Sequence, residues 1–378
     1  MRQLARSAGG PPANRTNHRR RAPSNGPLET RESSLEHKAG NLALFAQGFR
    51  FNGPKKPFLR DRRNRLPAWV ALACSAIGGF LLDACSPQQP PPDADYAFVA
   101  HWSEANGLPF QAPFGVAVDP RSGDVLVTDS RNHRVVILTE NGDFVRAFGE
   151  KGDREGHLQR PTGIAVGRDG SIFVTDSFRD KVLKFTRKGE FVLEWGEPGE
   201  ANDAFKMPYG LAIDAAGNVY VADFQNMAIK IFDKDGNFRK KVGGPNRLNY
   251  PTDIAMAEGG SFFVADAYNH RVQFFAKSEE TGEFKENIFS PPENGGVEFN
   301  VPSGIAWDSI QQVLHATDSG NRRIALLDAD GTFISEWVLR DQTEQFSPTM
   351  LAVSPNGDRV YATDLANNRI LVLNTRFQ

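Results

Sequence analysis

Cysteine is almost missing from this chain. Of 378 residues only two are Cys, and both, Cys74 and Cys85, fall within the first 85 positions. The rest can hold neither a disulfide framework nor a thiolate metal site. Such a segment tolerates an oxidising compartment well. A surplus of charge is missing too, but the net value of -2 hides an asymmetry. Residues 1–92 carry 15 Lys+Arg against 5 Asp+Glu, and residues 93–378 carry 29 against 41, so a basic leader at +10 precedes an acidic part at -12. A domain of that sign is poorly suited to neutralising phosphates, which argues against nucleic acid as a partner. Apolar runs of membrane-spanning length, ~20 residues, are also absent.

Residues 1–58 are rich in Arg, Pro, Gly, Asn and Ser with little apolar periodicity. That composition cannot bury enough surface to offset backbone ordering, so a disordered basic extension, or an over-long gene start, is expected. Residues 59–85 read differently. Arg60, Arg62, Arg63 and Arg65 precede an uncharged apolar run over residues 66–82, the layout of a signal peptide. Leu82-Asp83-Ala84-Cys85 then resembles the bacterial lipobox, although Asp83 departs from the small or apolar residue usual there. The resemblance implies cleavage before Cys85 and lipid attachment to its sulfur; the alternative is an uncleaved signal anchor. Residues 86–95 form a Pro-rich linker. A location in the bacterial cell envelope, tethered and facing the periplasm or exterior, is expected from these features.

From residue 96 onward the chain repeats. Pro113, Pro161, Pro208, Pro251, Pro302 and Pro348 open successive units, spaced 48, 47, 43, 51 and 46 residues apart. Each Pro leads into a short apolar strand such as Gly163-Ile164-Ala165-Val166. A second strand ends in an aspartate column: Asp129, Asp176, Asp223, Asp266, Asp318 and Asp364. A third strand is expected to start at Val135, Val182, Ile229, Val272, Ile324 and Ile370, and a fourth carries Phe144, Phe191, Phe238, Phe284 and Phe333. Four short strands per ~45-residue unit are the pattern of propeller blades.

Pro-x-Gly-Ile-Ala-Val, Val-Thr-Asp-Ser and Asn-x-Arg-Val resemble the NHL-repeat family. The resemblance covers residues 96–375 and implies an all-β fold, a six-bladed β-propeller of four-stranded blades. The sixth unit lacks its fourth strand, and Phe98 and Trp102 reproduce the spacing of Phe191 and Trp195. The N-terminal strand is therefore expected to complete the last blade, since an open ring exposes strand edges.

A residue needed once per blade serves the blade. The aspartates are expected to accept backbone N–H groups of the turn that follows them. Arg134, Arg271, Arg323 and Arg369, with Lys181, form a column that reaches an acidic neighbour. Departures from the pattern are more informative: Ala228 replaces Arg, Arg179 replaces Asn, and Asp253 and Met350 replace Gly. The loops before the first strands and those between second and third strands share one face. There Phe114, Arg131, Phe178, Arg179, Tyr209, Phe224, Asp253 and Tyr268 combine aromatics with charge, the composition of a recognition surface. Phe114, Tyr209 and Phe224 have a second reading, packing between blades. His315 stands in a column of large apolar residues and is expected to pack between blades.

The expected function is a tethered propeller that binds a protein, peptide or glycan in the envelope, with no cofactor or metal and no nucleic acid. The alternative is a metal-dependent lyase or hydrolase at the mouth of the central channel. Peptide-amidating lyases, similar to NHL propellers, place a metal-binding His after the opening Pro, and none stands there in this chain. Lactonase-like propellers use several acidic ligands at the axis, where this chain offers Asp253 alone.

Overall fold

The computed structural model describes residues 94–289, 296–339 and 346–377. The expected extension, the signal-like segment with Cys85 and the linker up to residue 93 lie outside these residues. Among them, no helix is long and apolar enough to cross a membrane.

Six four-stranded antiparallel sheets form the blades. Each inner strand starts at its proline: Pro113–Val118, Pro161–Val166, Pro208–Ile213, Pro251–Met256, Pro302–Asp308 and Pro348–Val353. Proline suits that position because the first residue of a strand owes the ladder no N–H. Each second strand ends at its aspartate: Val125–Asp129, Ile172–Asp176, Val219–Asp223, Phe262–Asp266, Val313–Asp318 and Arg359–Asp364. The third strands, Arg134–Leu138, Lys181–Phe185, Ala228–Phe232, Arg271–Lys277, Arg323–Asp328 and Arg369–Phe377, begin one residue earlier than the apolar pattern suggests. Outer strands Phe144–Phe148, Phe191–Trp195, Phe238–Gly243, Phe284–Phe289 and Phe333–Val338 serve blades 1 to 5.

The outer strand of blade 6 is Ala94–Trp102, antiparallel to Arg369–Phe377. Trp102 pairs with Ile370 as Trp195 pairs with Val182, so the matched aromatic spacing is a matched register. Farther along the same strand, Tyr96 Oη lies 2.7 Å from Nδ1 of His315 in blade 5. His315 is fully buried there, between blades as expected, and burial pushes its imidazole down to about 3.

Two columns bind blade to blade. Glycine heads the inner strands because a Cβ at Gly115 or Gly163 would overlap a backbone carbonyl of the next blade. The threonine before each aspartate spans the same gap. Thr128 Oγ1 accepts from Gly115 N–H at 2.7 Å and donates to Thr162 O of blade 2 at 2.6 Å. Thr175 donates likewise to Tyr209 O, Thr317 to Thr349 O at 2.8 Å, and Thr363 to Phe114 O at 2.8 Å, which closes the ring. Blades 3 and 4 carry Ala222 and Ala265 at this position and have no such hydroxyl.

Candidate functional site

The face that carries the prolines and the second-to-third turns is built from the aspartate column. Each aspartate accepts an N–H from the loop leading into its own blade: Gln111, Gln159, Lys206, Asn249, Asn300 and Ser347, at 2.6–3.1 Å. This corrects the expected backbone bond to the following turn: Asp176 makes it, to Phe178 and Arg179, whereas Asp129, Asp223, Asp266, Asp318 and Asp364 accept from the side chain of the Asn in that turn. The preceding loop wins because Asp pairs with Pro across the two strands, so its carboxylate faces that loop. The arginine column behaves as expected in four blades, with Nε 2.8–2.9 Å from its aspartate. Lys181 also reaches acidic neighbours as expected, but they are Glu197 and Glu194 and not its aspartate. In blade 3, where Ala228 stands for Arg, Lys230 two residues on takes the role, its buried Nζ 2.9 Å from Asp223.

After each aspartate the chain turns and one residue adopts a left-handed conformation: His133, Asp180, Met227, His270, Arg322 and Asn368, with φ of 51–57°. Several of these reach the next blade. Asn368 Oδ1 accepts from Ala112 N–H at 2.7 Å, Asp180 Oδ1 from Met207 N–H at 2.8 Å, and His270 Nδ1 from Val301 N–H at 3.1 Å. At the seam between blades 3 and 4 the residue is Met227, and neither column supplies a bond there. Aromatic rings fill that seam. Tyr209 stacks on Phe224 at 4.5 Å, Phe224 meets Tyr250 at 4.9 Å, and Tyr250 meets Tyr268 at 5.0 Å.

Phe114 reaches across from blade 1 and meets Tyr209 edge-on at 5.3 Å. Phe110, Met207 and Met350 join the same buried cluster. Phe114, Tyr209 and Phe224 are 2%, 0% and 2% exposed, so their expected exposure is corrected and their packing reading holds. The residue after the opening proline lies on an inner strand, and in blades 1 and 3 it is an aromatic that joins this cluster. Asp253 is buried as well. It stands in the glycine column, accepts from Ile305 N–H of blade 5 at 3.0 Å, and desolvation pushes its carboxyl up to about 7. Arg179 is committed within the fold: Nη2 lies 2.7 Å from Glu194 and Nη1 donates to His157 O at 2.7 Å.

What remains at the surface is compact. Arg131 is exposed, Phe178 and Tyr268 are half-buried, and Arg160, which sequence reasoning missed, lies with its Cζ 4.9 Å over the Phe178 ring. Ser130 Oγ donates to Pro161 O at 2.5 Å and His133 Nδ1 lies 2.6 Å from Gln159 O, so the turn bearing Arg131 is clamped beside the loop bearing Arg160. Arg160 Nε is buried and has no hydrogen-bond partner, and neither guanidinium has an ion-pair partner among the described residues. Burial lowers the Arg160 guanidinium below its ordinary value; Tyr209 and Asp176 oppose that and nearby Arg131 adds to it. Both Arg160 and Tyr250 directly precede an opening proline, and that position was the available signal. Among the described residues no group of three or more His, Cys, Asp or Glu could hold a metal ion.

The NHL repeat family matches residues 110–138, 205–232 and 248–275, in blades 1, 3 and 4. A stretch of 60 residues is 42% identical to Protein brain tumor of Drosophila melanogaster, which is 16% of this chain and only 6% of that protein. Among solved structures, a gluconolactonase from Xanthomonas campestris superposes with a TM-score of 0.57 at 14% identity over 78% of this chain and 99% of that one. A streptogramin B lyase gives 0.52 at 17% identity over 76% and 100%. A nidogen/laminin complex gives 0.52 at 19% identity over 65% and 86%. At such identities the likeness is one of fold, and it spans both enzymes and a binding assembly. Repeats, register and family match agree: this chain is a six-bladed β-propeller that carries NHL repeats at three positions.

Proposed function

We propose that the chain is a binding or scaffold propeller that recognises a protein, peptide or glycan at the face carrying Arg131, Arg160, Phe178 and Tyr268. One observation carries this reading. Two guanidiniums, one with a buried Nε left unbonded, sit together at an aromatic mouth without an ion pair among the described residues, the nearby Asp176 carboxylate being taken up by backbone N–H groups. A buried polar group without a partner costs ~1–3 kcal/mol, and a ligand that supplies an acceptor recovers it. The ligand best suited is one that presents an acidic group. The buried aromatic cluster beneath supports a rigid platform. The nidogen propeller, seen in a complex with laminin, is a precedent for the fold in such a role. In the same proposal the leader delivers the propeller to the bacterial envelope and Cys85 tethers it to the membrane.

Recovery of partners from an envelope fraction tests the face. Wild-type chain should retain proteins or glycans that an Arg131→Ala/Arg160→Ala/Tyr268→Ala variant loses. Equal recovery by both would remove the face. Cys85→Ala should release the protein from membranes, and persistent association would favour an uncleaved anchor. The second reading, a metal-dependent lyase or hydrolase at the channel mouth, draws support from Asp253, a buried inner-strand carboxyl that desolvation pushes up to about 7. Stoichiometric metal in purified protein would favour it over the first.

A further inference from the structure

The opposite face of the ring holds a pocket of about 540 Å³. It is formed by the loops between first and second strands of blades 2 to 5 together with Lys277 at the end of the third strand of blade 4, independent of the face discussed above. Its size lies within the range of small-molecule sites, ~300–1,000 Å³. The floor is apolar, from Val166, Ile213, Met256 and Trp307. Trp307 is half-buried and held in place on two sides. Its ring packs on Phe263 at 5.1 Å, and its Nε1 donates to Glu258 Oε1 at 3.3 Å. Gln312 Nε2 donates to the same oxygen at 3.0 Å. A fixed indole face with a polar edge suits a ligand that is apolar on one side and wet on the other.

The charges around the floor are unevenly committed. Asp214 is buried and accepts from Ala216 N–H, Asn218 N–H, the Asn218 amide and the Tyr220 hydroxyl at 2.7–3.3 Å. Glu258 is taken by Trp307 and Gln312. On the rim, Arg168 of blade 2 and Lys277 of blade 4 are exposed and have no ion pair or side-chain hydrogen bond among the described residues. The two acids thus accept hydrogen bonds within the protein, whereas the two cations, one from blade 2 and one from blade 4, have no such partner among the described residues.

We propose that this pocket binds a short acidic glycan, two or so uronic-acid units long, with a sugar ring against Trp307 and carboxylates toward Arg168 and Lys277. Pyranose rings offer the flat C–H face that an indole covers, and their hydroxyls suit a rim of backbone and polar groups. Two carboxylates on one ligand can serve two cations that belong to different blades. A neutral sugar would leave both cations unmet, and a compact inorganic anion would leave the floor uncovered.

Isothermal titration calorimetry of the purified chain with digalacturonic acid tests this, with cellobiose and tripolyphosphate as the neutral and sugar-free probes. Digalacturonate should bind at least tenfold more tightly than either. Arg168→Ala/Lys277→Ala should weaken it at least tenfold, as should Trp307→Leu, with unchanged melting of the double variant showing that the fold survives. Arg131→Ala/Arg160→Ala should leave it unaltered, which separates this pocket from the other face. Absence of digalacturonate binding, or equal binding by the double variant, would overturn the proposal. Tripolyphosphate binding as tight as digalacturonate, insensitive to Trp307→Leu, would reduce the site to a charge patch and overturn the glycan.

Discussion

Asp253 and His315 are buried ionisable groups whose shifts pull stability in opposite directions with pH. Asp253 is raised from 3.8 to about 7, so between those values the native state holds the extra proton and acidification favours folding. His315 is lowered from 6.5 to about 3, so between those values the unfolded state holds the extra proton and acidification favours unfolding. Between pH 4 and 6.5 the two slopes, each ~1.4 kcal/mol per pH unit at full effect, oppose one another. Asp253→Asn keeps an acceptor for Ile305 N–H and removes one slope. The variant should be more stable than wild type at pH 8 and should lose ~2 kcal/mol relative to it on going from pH 6.5 to 4.5. Urea titrations at those three values measure this. A constant difference across them would mean that Asp253 does not titrate with folding. The residues that sequence reading misassigned or left unassigned share a cause. Arg179, expected at the recognition face, turns to Glu194, and Lys230, left unassigned, replaces an absent arginine from two positions along the same strand face, because each side chain answers to a carboxylate placed by pairing.

Blades are joined by two kinds of seam. Where threonine is present, its hydroxyl links Gly N–H of its own blade to a carbonyl of the next, both buried. Thr128→Val keeps the shape and strands both partners, so it should cost ~1–3 kcal/mol in denaturant unfolding. The seam between blades 3 and 4 has Ala222 in that column and depends on stacked rings. Phe224→Ala opens a cavity among Tyr209, Tyr250 and Tyr268 and should cost ~3–5 kcal/mol. If Phe224→Ala proved no worse than Thr128→Val, the rings would not be holding that seam. The expectation of exposed aromatics failed at this level: alternation along an inner strand tells which residues share a side, but not that the side is filled by a neighbour's rings.

Closure belongs to the whole ring. Ala94–Trp102 pairs along Arg369–Phe377, and Tyr96 ties that strand to His315 of blade 5. Removing residues 94–102 would expose the edge of blade 6 and leave His315 Nδ1 without its partner. The shortened chain should melt at a lower temperature as one transition, because every blade leans on two others. Unchanged melting would show that the ring does not need its last strand. Blade number, blade phase and the identity of the closing strand were legible in the amino-acid order alone. Proline at a strand start, aspartate at a strand end and the aromatic spacing of an outer strand are local requirements, repeated in every unit. Which aromatics stay exposed, which carboxylate each cation meets, and where a pocket opens were decided only by tertiary structure. Those outcomes depend on backbone from the neighbouring blade, tens of residues away, and no local pattern records what that neighbour brings.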